Sequence, residues 1–93
     1  MEEQQETLVR LGEEAEVLLD SQAFSSTVNN LVDTSFQNFT NSAPNESEKR
    51  EAAYAHYRAL VDIVSTLRQR VAVKDEIVNK SADADDNNQT EGA

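Results

Sequence analysis

The stretch AYAHYRALVDIVSTLRQRVAVKDEIV, residues 53–78, decides how this chain folds. Within it Ala53, Tyr57, Leu60, Val64, Leu67, Val71 and Val78 recur on alternating steps of four and three, with Lys74 interrupting the series. At 3.6 residues per turn those steps keep one edge of a helix apolar, which is the pattern of a heptad-like seam. Tyr54, Val61, Arg68 and Asp75 run along one flank, and Ile63, Val73 and Ile77 fall partly off the seam. So wide an apolar band predicts that more than one neighbour covers this helix. Upstream, Pro44 disfavours helical backbone at Ala43 and is itself tolerated at a helix start. Asn45 with Glu48 three residues later offers a reciprocal capping box. The reading is one helix over about residues 45–80.

Before the proline, residues 21–40 place Phe24, Val28, Leu31, Val32, Phe36 and Phe39 on one stripe, with Ser, Thr, Asn and Gln elsewhere. These polar residues are mediocre helix formers, so this second helix should depend on packing its stripe against something. Residues 1–20 form an acidic amphipathic helix with Leu8, Leu11, Ala15 and Leu18 on one face, and seven carboxylates against a single Arg10. Gly12 weakens that assignment, because glycine inside a helix costs about 1 kcal/mol relative to alanine. Asp20-Ser21 is a candidate break, since either side chain can cap a following helix. Residues 81–93 lack large apolar groups and are expected to be a disordered acidic tail. With Gly only at 12 and 92 and Pro only at 44, and with no sustained apolar–polar alternation, the chain reads as all-α.

Helices of about 54 Å (45–80) and about 30 Å (21–40) match poorly in length, but residues 3–40 together match the third helix. An antiparallel helical hairpin with its turn at 41–44 pairs residues whose numbers sum to about 85. It brings Phe24 near Val61, Val28 near Tyr57, Leu31 near Ala53 and Tyr54, Leu18 near Leu67, and Leu8 near Ile77 and Val78. The charges agree: Glu13, Glu14 and Glu16 fall opposite Arg68, Arg70 and Lys74, and Glu6 opposite Lys80. Exposed pairs of this kind contribute only ~0–1 kcal/mol, so they choose register more than they stabilise. The rival arrangement folds residues 1–20 back at Ser21 into a three-helix bundle. The expected core is Phe24, Val28, Leu31, Phe36 and Phe39 against Tyr54, Tyr57, Leu60, Val61 and Val64, with Leu67 further along. A hairpin with so thin a core is marginal, so self-association or docking on a larger partner is expected, through Ile63, Arg70, Val73 and Ile77.

Composition removes several classes of task. Eight basic residues against eighteen acidic ones give a net charge of −10, the wrong sign for coating nucleic acid. No cysteine is present, which excludes disulfides and thiolate chemistry. No apolar run approaches the ~20 residues of a membrane helix. The acidic start is unlike a secretory signal, so the chain is expected to act in the cytoplasm where it is made. His56, the only histidine, reads as a surface residue, and no nucleophile–base pair or glycine-rich phosphate loop is visible. Glu13, Glu14 and Glu16 read as a solvated acidic face. Asp83, Asp85 and Asp86 resemble a calcium loop only slightly, lacking its central glycine and closing glutamate. Tyr54 and Tyr57 beside Lys49, Arg50 and Arg58 could stack single strands, but Glu46, Glu48 and Glu51 neutralise them and the spacing fits the seam. Neither catalytic residues nor a cofactor or metal is expected.

One family pattern emerges. The series Leu18-Leu19-Asp20-Ser21-Gln22-Ala23-Phe24, then Phe39-Thr40 with Pro44, then Arg50-Glu51-Ala52-Ala53-Tyr54 and the seam to Lys80, resembles small bacteriophage helical-hairpin proteins encoded near head-assembly and DNA-packaging genes. The likeness spans about residues 17–80 and leaves out both acidic ends. It implies a non-enzymatic assembly module in the host cytoplasm or the virion, partnered by a copy of itself or by a larger phage structural protein. The alternatives are a small-terminase-like packaging factor and an acidic mimic that binds a basic host protein. Replacing Leu60 or Leu67 with Asp should collapse both fold and assembly, because a buried unpaired carboxylate is costly. Wild-type helicity and oligomer size in either variant, by circular dichroism and light scattering, would show that the seam is misassigned.

Overall fold

Three α-helices order this chain: α1 (Glu3–Asp20), α2 (Gln22–Thr40) and α3 (Ser47–Glu91). The structure, a computed structural model, describes residues 2–91, with side chains through Ala82. The fold is all-α, with no strand among the described residues. Two compact units share α3. A turn unit comprises Leu18–Thr66, and a terminal unit joins α1 through Val17 to α3 from Leu67 onward.

In the turn unit, α2 is helical despite its composition because one face packs against α3, and two of its threonines bond back to their own helix. Thr27 and Thr34 donate to the carbonyls of Ala23 (2.8 Å) and Asn30 (2.9 Å), sharing acceptors of the helical ladder, which leaves neither hydroxyl unpaired but does not strengthen the helix. Ser21 is the break anticipated from the sequence. Its extended backbone (φ −73°, ψ 119°) interrupts the helix, and its hydroxyl accepts from the Phe24 N–H at 3.2 Å as the N-cap of α2. At the other end Ser42 donates to the Phe39 carbonyl at 2.7 Å, answering one of the orphan acceptors of a helix terminus.

The connection is residues 41–46, longer than the expected 41–44, and the capping box of Asn45 with Glu48 is not what starts α3. Glu46 does so instead. Its carbonyl accepts from the Arg50 N–H (3.2 Å), and its side chain reaches back to the Ala43 N–H (2.7 Å). Arg50 closes the turn by donating to the carbonyls of Ala43 (2.6 Å) and Pro44 (3.2 Å). The guanidinium fork can serve two carbonyls at once, which holds the turn without glycine.

The longer turn moves the pairing. Ser35, Phe36 and Phe39 share a cavity with Ala53, Tyr54 and Tyr57, whereas the sequence arithmetic set Leu31 near Ala53 and Tyr54. The stripe on α2 is displaced by about one turn. The displacement puts the small Ser35, rather than a leucine, with the small Ala53, and both are buried. Large apolar residues are left on the rim, and Leu31 is half exposed.

In the terminal unit the anticipated register holds. Leu8 and Gln5 share a hollow with Val73, Ile77 and Lys80, so α1 runs antiparallel to the end of α3. The packing partner of α1 is α3, not the fold-back alternative. Its buried residues are Gly12 and Ala15, the latter 1 % exposed. A β-carbon at Gly12 would stand 2.7 Å from the Arg70 carbonyl oxygen and closer still to the Lys74 β-carbon. The glycine that weakened the helix assignment is therefore the residue that lets two backbones approach. Helix α3 also continues to Glu91, past Lys80, where the sequence reading ends the helix and begins a disordered tail. No proline or glycine intervenes before Gly92 to stop the ladder.

Gly12→Ala tests the close approach. Alanine gains about 1 kcal/mol of helix propensity, but overpacking against backbone typically costs about 1–3 kcal/mol. The variant should melt at a lower temperature than wild type in a thermal scan followed at 222 nm. A higher melting temperature would mean that the backbones are not in contact at residue 12.

Candidate protein-docking groove

Both helices of the turn unit carry the same local pattern: a small residue, an aromatic at the next position, and a second aromatic one turn on. On α2 it is Ser35-Phe36-x-x-Phe39, and on α3 Ala53-Tyr54-x-x-Tyr57. The small residues face the opposite helix. Each following residue is turned by ~100° and the one at four by ~40°, which puts all four rings along the seam between the helices. They line a hollow of about 330 Å³, almost wholly apolar, floored by Ser35 and Ala53. Phe36 is 66 % exposed and Tyr54 58 %, with Phe39 at 45 % and Tyr57 at 41 %. Two layers of helix cover only the facing strip of each, so rings placed off that strip stay in water.

The expected core is thus divided. Of its residues Leu67 is buried, as is Ala53 of the seam, and Phe24, Val28, Leu60, Val61 and Val64 are half-buried. Leu31, Phe36, Phe39, Tyr54 and Tyr57 are exposed. The last four were assigned to packing and instead make the groove. Sequence reading missed Ser35, which it put on a polar face, although the repeated small–aromatic pattern was there to be read.

The expected contact surface divides too. Ile63 and Arg70 are exposed, but Val73 and Ile77 are half-buried and turned toward Leu8 of α1. His56 is exposed. Among the described residues no group of three or more histidines, cysteines or carboxylates could hold a metal ion, and no helix is long and apolar enough to cross a membrane. The Asp83, Asp85 and Asp86 side chains lie outside those described.

Of the expected charge pairs, Glu16 meets Lys74, while Lys80 pairs with Glu76 on its own helix at 2.9 Å rather than with Glu6. Lys74, whose side chain is 12 % exposed, also lies 3.5 Å from Asp75. The Glu16 hydrogen bond, opposed by partial desolvation and aided by the two carboxylate charges, raises the Lys74 pKa from its ordinary value. The interruption in the heptad series is thus an ion pair at the close approach of α1, its stem packed and its head on Glu16. No protein family, curated protein or solved structure matches this chain.

A raised lysine pKa contributes stability that is whole below the unfolded value and is lost as pH rises through the folded one. The stability difference between wild type and Lys74→Gln should therefore be largest near neutrality and shrink above the ordinary lysine range. Chemical denaturation at a series of alkaline pH values would measure it. A difference that does not change with pH would rule out the ion pair as its source.

Proposed function

We propose that this chain is a non-enzymatic protein–protein interaction module that docks a partner protein in the aromatic groove of its turn unit. One observation carries the reading: four aromatic side chains, each at least 41 % exposed, converge on a single apolar hollow. Scattered exposed hydrophobics need no explanation, but a contiguous patch with a floor marks an interaction surface. Aromatic residues supply large contact area at small entropic cost, and they dominate the energetics of interfaces. The groove offers no titratable group other than the tyrosines to do chemistry, which favours binding over turnover. The sequence pattern of residues 17–80, read above as resembling bacteriophage helical-hairpin proteins, motivates the narrower form of the proposal, an accessory of virion or head assembly acting in the host cytoplasm or the virion.

Site-specific photocrosslinking tests it. A photoreactive phenylalanine in place of Phe36 or Tyr54, in cells producing the full chain, should give protein adducts on irradiation. The same group at Gln69, exposed on α3 outside the turn unit, should not. Absence of adducts at both groove positions would overturn the reading.

A further inference from the structure

Resting on that reading, we infer that the occupant of the groove is a second copy of this chain, packed groove to groove across α2. Charge is the first argument. A chain of net charge −10 repels its own copy wherever carboxylates face each other. Charged residues make up 28 % of the sequence, yet the 19 residues of α2 hold one, Asp33. From Arg50 to Asp62, the part of α3 that carries Tyr54 and Tyr57, Arg50 and Arg58 balance Glu51 and Asp62. The surface around the groove, with Asp33 as its one uncompensated charge, is thus a part of the chain on which two copies meet with little repulsion. A basic partner would be drawn instead to α1, where six carboxylates stand against Arg10. Aromatic enrichment with charge depletion is also the composition of an interface core.

Area is the second argument. An aromatic side chain offers roughly 200 Å², so the exposed fractions of Phe36, Phe39, Tyr54 and Tyr57 amount to about 400 Å² of ring surface per copy. A stable interface of standard size needs about 800 Å² per partner. The rings supply about half of it as core. Exposed Gln37 and Thr40, which follow Phe36 round the helix surface, supply an uncharged polar rim, with Asp33 the one charge beside them. The contact is self-complementary, so it closes as a two-fold dimer and leaves no second patch to propagate. A hollow of about 330 Å³ also has room for a ring of the opposite copy, since an apolar cavity of about 150 Å³ already admits benzene.

Sedimentation equilibrium of the full-length chain over a range of concentrations tests the inference. Wild type should be a dimer. Phe36→Glu and Tyr54→Glu, both at exposed positions that tolerate a polar side chain, should keep wild-type helicity. Each should weaken self-association by more than about tenfold, because a carboxylate in the contact must be desolvated. Val17→Glu, exposed in the terminal unit, should remain dimeric. Raising salt from about 0.01 M to about 1 M should leave the dimer as tight or tighter, since screening removes net repulsion. A chain that is monomeric up to about 1 mM, or a dimer unaffected by both groove variants, would overturn the inference. If the photocrosslinks at residues 36 and 54 then lead to a different protein, the interaction module stands and only the identity of its occupant falls. If there are no crosslinks at all, both fall.

Discussion

Two helices can lie close together only where their facing side chains are small, and that steric constraint organises this molecule. In the terminal unit Gly12 and Ala15 occupy the contact, and the main chain of α1 comes up against Arg70 and Lys74. In the turn unit Ser35 and Ala53 do the same for α2 and α3. Large residues are displaced to the edges of each contact, where a third layer would be needed to cover them. No large side chain is fully buried among the described residues. The fold therefore secures its helices through close backbone approach, capping and a sewn turn, and leaves much of its aromatic surface unused.

That unused surface is not distributed evenly. Both Phe36 and Tyr54 follow a small residue that points inward, so the rotation of one helical step carries each ring to the same side of the seam. Phe39 and Tyr57 repeat the placement one turn later. A groove arises from the same five-residue spacing on two antiparallel helices, without loops or special backbone geometry. Its chemistry is that of recognition, through apolar area bounded by uncharged polar groups.

Charge is segregated in the opposite sense. Carboxylates crowd α1 and are nearly absent from α2. In the terminal unit Lys74 answers them from within the packed contact, held by Glu16 and Asp75. A lysine at that point costs the seam an apolar residue, but its stem still covers apolar surface and its ammonium specifies which part of α1 lies opposite. The Asp20-Ser21 break then separates a helix that carries the net charge from one that carries the exposed rings.

Much of this was legible in the residues themselves. The period of the seam at 53–78, the breaks at Ser21 and Pro44 and the scarcity of other breakers determined three helices, and stripe matching put Leu8 beside Ile77. Those features are local, or depend on patterns long enough to have one solution. What only the tertiary structure decided is the register beside the turn, the burial of Ser35, the turning of Val73 and Ile77 toward α1, and the use of Gly12. Helical stripes repeat every turn, so sliding α2 by four residues preserves apolar-to-apolar matching almost equally well. The length of the connection and the contact between backbones choose among such slides, and neither is written in hydrophobic periodicity.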